Sequence, residues 1–241
     1  MSYIGNTKIG KMYLGNTEIA KAYLGNNLVF QKGGSPAPSD QPIFYDRLVF
    51  DGTAYIDTDI VPDLTMSYRM AIGDESQKIP QRYFFAPTAD SGFVGITLNS
   101  TTTSTNRCFS VYFGKSSSVS GNRTYAFSNA TLSLWLTPKR FGWGNTAYTF
   151  TKGSNAVNGP IVIGQSSTHS GQAFTGRLGW FRIYSSDAQD CASNSAFNSF
   201  TPVYTLRPCT YRGEPGMWCV ETEKFYGNTA GAGALSVINN S

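Results

Sequence analysis

The sequence is short of charge: Asp, Glu, Lys and Arg make up 14% of its 241 residues, where soluble domains usually carry about a quarter. The formal net charge of +4 is too weak to point to nucleic acid. Histidine is nearly absent. The one residue, His169, sits in the polar run Ser166-Ser167-Thr168-His169-Ser170-Gly171. A nucleophile triad needs its histidine beside a nucleophile and an orienting acid, and serine is so common in this region that adjacency to it means little. No acidic residue occurs between positions 91 and 186. That gap removes the central strands as donors of the paired carboxylates with which sandwich glycosidases work. Glu221 and Glu223 alternate on a tail strand and read as a solvated pair. No enzyme activity, cofactor or metal is assigned.

Long apolar runs are also missing. No stretch approaches the roughly 20 apolar residues that span a bilayer, and positions 1–11 have no apolar core, so neither a membrane span nor a signal peptide is expected. Synthesis in the cytosol follows. The four cysteines, Cys108, Cys191, Cys209 and Cys219, form no close pair, which argues against a metal cluster. Cys209 and Cys219 flank a turn and are alternatives for a cross-hairpin pair, but buried free thiols are the expectation for cytosolic folding. Asp57 and Asp59, with Asp63 nearby, offer oxygen ligands of the kind Ca²⁺ takes, beside the reading of simple exposure.

What is present in abundance is turn and strand chemistry. Positions 1–32 repeat three times with a period of ten: Tyr3-Ile4-Gly5-Asn6-Thr7, Tyr13-Leu14-Gly15-Asn16-Thr17 and Tyr23-Leu24-Gly25-Asn26-Asn27, each followed by Ile9, Ile19 or Val29. Gly-Asn between extended runs is a two-residue hairpin signal. The stretch between turns, such as 17–24, suits one strand per repeat, so the segment reads as a β-meander. Its few large apolar side chains, Tyr3, Ile9, Tyr13, Ile19, Tyr23 and Val29, make one thin face that needs neighbours to cover it. Other copies of the chain are the favoured cover, with the rest of the same chain as the alternative.

Positions 33–42 (Gly33-Gly34-Ser35-Pro36-Ala37-Pro38-Ser39-Asp40 and two more) have the composition of a linker. From 43 to 241 short strand candidates recur between turns: 47–50, 55–60, 66–72, 82–86, 92–98, 107–113, 131–137, 147–151, 161–163 and 178–184. Leu132, Leu134 and Leu136 alternate with Thr131, Ser133 and Thr137, the pattern of a half-buried strand. Around 186–200, alanines spaced by four suggest a short helix or turn on an edge. About ten strands without a long helix argue for an all-β, two-sheet antiparallel sandwich. Trp180 and Tyr184 fall on one face of their strand and Phe181 and Ile183 on the other, so these aromatics are expected in the core.

Binding residues are sought in charge and in exposed rings. Between 91 and 186 there are eight basic residues; among them Arg123, Lys139 and Arg140 are candidates for an anionic ligand. Dispersed, solvated charges are the alternative. Trp143, between glycines in Phe141-Gly142-Trp143-Gly144-Asn145, is the candidate for stacking on a sugar, with anchoring in the core as its alternative.

Three motifs resemble a known family. Leu48-Val49-Phe50-Asp51-Gly52-Thr53-Ala54-Tyr55-Ile56-Asp57-Thr58 resembles the opening strand pair of concanavalin-like, laminin-G-like jelly-roll domains. Phe174-Thr175-Gly176-Arg177-Leu178-Gly179-Trp180-Phe181-Arg182-Ile183-Tyr184 resembles their late strand. The tail, from Arg207-Pro208-Cys209 through Gly216-Met217-Trp218 to Lys224-Phe225-Tyr226-Gly227-Asn228, resembles the ending of jelly-roll domains in tailed-phage and prophage structural proteins. One departure is Met217-Trp218-Cys219-Val220, where the ending usually has an Asp after the aromatic, so no acidic role transfers there.

The resemblance implies a virion fibre or appendage, made in the host cytoplasm. Residues 1–32 would anchor to other virion proteins and assemble a homo-oligomer, a trimer by analogy with phage fibres. The jelly roll would be displayed toward a host-surface glycan. A purely structural head or tail fibre or decoration protein is the alternative, and a carbohydrate-active enzyme a third reading.

Overall fold

The computed structural model describes residues 2–4, 7–9, 13–14, 17–19, 21–24, 27–31, 40–73, 82–87, 93–100, 106–115, 123–126, 132–155, 157, 159–165, 174–231 and 233–239. The chain divides into two compact units. One is Met1–Ile43 with Tyr211–Gly213, and the other Phe44–Thr210 with Glu214–Ser241. Most of the expected linker, residues 32–39, and the loop of His169 lie outside the described residues.

In the first unit the strands are β1 (Ser2–Ile4), β2 (Thr7–Ile9), β3 (Tyr13–Leu14), β4 (Thr17–Glu18), β5 (Lys21–Leu24) and β6 (Asn27–Gln31). They pair as three separate two-stranded sheets. Ile4 lies opposite Thr7, Leu14 opposite Thr17 and Leu24 opposite Asn27, flanking the three Gly-Asn pairs. The single strand expected over 17–24 is divided instead, because β4 and β5 each satisfy their backbone groups within their own hairpin.

The second unit's strands are β7 (Ile43–Phe44), β8 (Arg47–Asp51), β9 (Ile56–Asp57), β10 (Ser67–Gly73), β11 (Arg82–Pro87), β12 (Phe93–Ser100), β13 (Asn106–Lys115), β14 (Arg123–Ala126), β15 (Leu132–Leu136), β16 (Arg140–Trp143), β17 (Thr146–Thr149), β18 (Ile161–Ile163), β19 (Thr175–Tyr184), β20 (Tyr204–Tyr211), β21 (Glu214–Cys219), β22 (Lys224–Gly227) and β23 (Leu235–Ile238). The larger sheet runs β17-β16-β15-β10-β19-β20-β21-β22, with β8 beside β19 and β23 beside β8; the smaller runs β14-β13-β12-β11-β18-β9. The result is an antiparallel, two-sheet sandwich of jelly-roll type.

Alternation builds the core. Leu48 and Phe50 of β8, Tyr68, Met70 and Ile72 of β10, and Phe181 and Ile183 of β19 point inward, where they meet Phe85, Ile96, Val111, Phe113 and Ile163 of the smaller sheet. Phe85 ties the layers together, its ring 5.2 Å from Tyr68 and 5.0 Å from Phe181. Each such side chain stabilises by about 1.5–3 kcal/mol through burial.

The expected helix at the edge is two 3₁₀ turns, Ser186–Ala188 and Ser195–Ser199. They lie on the outer face of the larger sheet, where Ala188, Cys191 and Phe197 pack on Trp135 and Tyr184. That cover explains why β15 is not half-buried as its alternation suggests: Trp135, on the outward side, is as buried as the leucines. Cys191, Cys209 and Cys219 are free thiols. Val220 N–H donates to Thr205 C=O, a register that sets Cys219 beside Leu206 rather than Cys209. Burial pushes the Cys209 thiol up to about 12.

Asp51 closes the domain. Its Oδ1 accepts from Thr53 N, Thr53 Oγ1 and Ala54 N at 2.8–2.9 Å, and its Oδ2 from Ala234 N at 2.5 Å. This carboxylate therefore fastens the turn after β8 to the chain entering β23. Burial alone would raise its pKa, but these hydrogen bonds outweigh burial and bring it from 3.8 to about 2. A depressed carboxylate stabilises the fold above its ordinary pKa, and that stability is lost as pH falls through the folded value. Thermal melts between about pH 4 and about pH 2 should therefore fall more steeply for the native chain than for Asp51→Ala. Parallel curves would show that Asp51 fastens nothing.

Candidate functional site: an arginine and tryptophan face

The outer face of the larger sheet is where the domain gathers its guanidinium groups. β19 contains one more residue than β10 between their shared pairs, since Met70 lies opposite Phe181 but Ile72 opposite Leu178. This bulge turns Gly179 and Trp180 outward between inward Leu178 and Phe181, as bulges re-aim side chains elsewhere. Trp180 lies on the face opposite Phe181, as alternation places it, but that face is the outer one and leaves it half-buried there, not in the core as expected. Gly179 leaves a flat floor: a Cβ there would fall 2.6 Å from Arg47 Nη1, so Arg47 lies across it. Burial, with Arg177 beside it, holds the Arg47 pKa down against the pull of Asp46.

Next to this floor runs a row across four strands. Arg69 of β10 faces Trp135 of β15 on one side and Arg182 of β19 on the other, and Arg182 faces Thr205 of β20. Two like charges directly opposite one another are unfavourable. The Trp180 ring offsets part of that cost, with the Arg69 guanidinium carbon 5.0 Å and that of Arg182 4.6 Å from its centroid, the geometry of cation–π attraction. Arg69 is 7% exposed. Its Nε donates to Asn194 Oδ1 at 2.7 Å and its Nη1 to Asn198 Oδ1 at 3.0 Å, both from the 3₁₀ segment. Among the described residues no carboxylate pairs with Arg69 or Arg182, and the Arg182 Nε is buried without a hydrogen-bond partner. β10, β19 and β20 contain no acidic residue.

The residues expected to bind ligand lie elsewhere. Trp143 is 8% exposed in the core, its ring 5.1 Å from Tyr148 and 6.5 Å from Phe141, so it has no free face for a sugar. The reason is that 140–143 is a strand, β16, paired to β15 and β17. Lys139 and Arg140 do come together, but around Asp190: Lys139 Nζ is 2.5 Å from its Oδ1, and Arg140 Nη1 donates to its carbonyl at 3.0 Å. The acid that meets them comes from outside the basic block of sequence. Arg123 lies on β14, whose side chains are outside what the structure describes, as are those of Tyr3, Ile9, Tyr13, Tyr23 and Val29; Ile19 is half-buried.

The other carboxylates are also engaged. Asp59 pairs with Lys224 Nζ at 2.6 Å and accepts from Tyr226 Oη, and these two hydrogen bonds lower its pKa. Asp63 Oδ1 accepts from Thr65 N, Thr65 Oγ1 and Met66 N, starting β10. Burial raises the pKa of Asp57. These three do not converge on one point, and no cluster of metal-ligating type occurs among the described residues. Glu221 accepts from Thr205 N at 2.5 Å in the turn after β21, so Glu221 and Glu223 do not share a strand.

No family model matches the chain, and no curated protein does. Solved structures similar in fold include two from different organisms. One is a native heptameric SAP-like pentraxin from Limulus polyphemus, at 12% identity and TM-score 0.41, over 57% of this chain and 74% of that one. The other, described as a carbohydrate-binding protein from Bacteroides ovatus, has 9% identity and TM-score 0.47, over 83% of this chain and 62% of that one. Among the described residues no helix is long and apolar enough to cross a membrane.

Proposed function

We propose that the chain is a virion fibre or appendage protein whose jelly-roll domain binds a host-surface glycan and performs no chemistry on it. The observation that supports this best is the half-buried pair on the outer face of the larger sheet, where Trp180 and Arg182 form an amphipathic floor. An aromatic edge next to planar donors suits the mixed apolar and hydroxyl surface of a sugar. The carboxylates Asp51, Asp59 and Glu221 are taken up by backbone and side-chain hydrogen bonds, which supports binding rather than hydrolysis. The repeat segment holds three chains together and to other virion proteins. Isolated two-stranded hairpins are marginal in water, and here three of them form no wider sheet among the described residues.

Incubating the full chain with an array of host-surface glycans should show binding to at least one, with no reducing sugar released. Sedimentation of the same sample should show a trimer. Absence of glycan binding by a folded trimer would favour the purely structural fibre; sugar release would revive the enzyme. A monomer would remove the assembly role of residues 1–32.

A further inference from the structure

We propose that the Arg69–Trp180–Arg182 cluster reads negative charge, and that the ligand of this face is an acidic polysaccharide bearing carboxylate or sulfate groups. This rests on the glycan reading above and narrows it to one chemistry.

Arg69 and Arg182 are opposed across the strand pair, and neither is neutralised by a carboxylate among the described residues. Other cations of the same domain are: Lys139 by Asp190 and Lys224 by Asp59. The two asparagine amides that hold Arg69 occupy its donors without cancelling its charge. A nearly buried cation lacking a counter-charge is costly, and a bound oxyanion is the group that relieves it. Arg182 is arranged to receive one. Its guanidinium carbon lies over the Trp180 ring, 4.6 Å from the centroid, its Nε is buried with no partner, and a guanidinium fork matches a carboxylate or sulfate in bidentate fashion.

The positive face extends beyond one point. Arg177 and Arg47 adjoin on the same side of the sheet, with Asp46 beside Arg47, and five steps of extended chain lead from Arg177 to Arg182, roughly 15 Å. That span fits a polymer with repeated charges better than a single headgroup. Duplex DNA is less suited: it calls for a strongly basic stripe, whereas the whole chain is only +4.

The test uses the full chain with four probes: dextran, dextran sulfate, polygalacturonate and a short DNA duplex. Dextran and dextran sulfate share a backbone and differ in charge, and polygalacturonate separates carboxylate from sulfate. Binding is expected to at least one acidic polymer and not to dextran, and to weaken with salt. Arg182→Gln should weaken it roughly ten- to hundredfold. Arg182→Lys, which keeps the charge and loses the fork, should fall between, and Lys139→Gln should bind like the native chain. Melting curves confirm that each variant is folded; should Arg182→Gln not fold, Arg182→Lys provides the readout. Native binding by folded Arg182→Gln, or equal binding of dextran and dextran sulfate, overturns this inference while leaving a glycan-binding protein. Tighter binding to DNA than to either acidic polymer overturns it as well. A glycan array on which nothing binds sinks the broader reading too.

Discussion

Phe181→Ala is expected to destabilise the domain by about 3–5 kcal/mol, whereas Trp180→Ala, one residue earlier, should cost only roughly 1–2 kcal/mol. Phe181 is fully buried between the sheets, 5.0 Å from Phe85 and stacked at 6.4 Å on Tyr68. Its removal leaves a cavity that the rings from two layers cannot close without shifting both. Trp180 is the larger side chain, but it lies on the outer face opposite Phe181, half-buried against two guanidinium groups. Its loss removes cation–π attraction and some surface burial, with no enclosed void. Urea denaturation of both variants, with midpoints compared at unchanged slope, measures the difference. Equal losses would mean that the Trp180 ring is core and that the outer face is not built as described.

Gly142→Ala should be nearly as damaging, about 3 kcal/mol, at the upper end of overpacking effects. A Cβ at Gly142 would lie 1.9 Å from the Thr146 carbonyl oxygen and 2.7 Å from Cζ2 of Trp135. The first is the backbone of the paired strand β17 and the second a fully buried indole, so neither yields as a flexible side-chain end does. Gly144→Ala, two residues on, is the matched control. Gly144 has φ +50 and open space around its Cβ position, so it should lose only about 1 kcal/mol from the left-handed backbone. Thermal melts of the pair check this; a Gly142→Ala variant no less stable than Gly144→Ala would contradict the close approach of β16 and β17.

These glycines also show what could be read in advance. The strand at 161–163 matches its expected bounds, 47–50 gains one residue, and the three repeat hairpins close across their Gly-Asn pairs. Local alternation and turn chemistry are written in adjacent residues, so they survive translation into structure. Glycines on both sides of Trp143 suggest a loop over 141–145. Yet Gly144-Asn145-Thr146 is the same tripeptide as Gly5-Asn6-Thr7, and Trp143 lies opposite Thr146 across it. The hairpin signal is therefore in the sequence, and Gly142 before the tryptophan masks it.

The candidate site was less legible, for two physical reasons. Alternation sets Trp180 opposite Phe181, but not which stretch of the outer face the 3₁₀ segment covers: it packs on Trp135 and Tyr184, while Trp180 stays half-buried. Charge blocks in sequence do not survive folding either. Lys139 and Arg140 meet Asp190 from the following segment, while Arg69, outside the basic block, lies opposite Arg182. Only long-range pairing brings such residues together.

The most direct measurement is a crystal structure of the full chain with an acidic oligosaccharide cut from the polymer that binds best. A carboxylate or sulfate oxygen is expected within hydrogen-bond distance of the Arg182 guanidinium, with a sugar ring against Trp180. An ordered oligosaccharide seated elsewhere, beside Lys139 and Arg140 or on the smaller sheet, with Arg182 untouched, would contradict it.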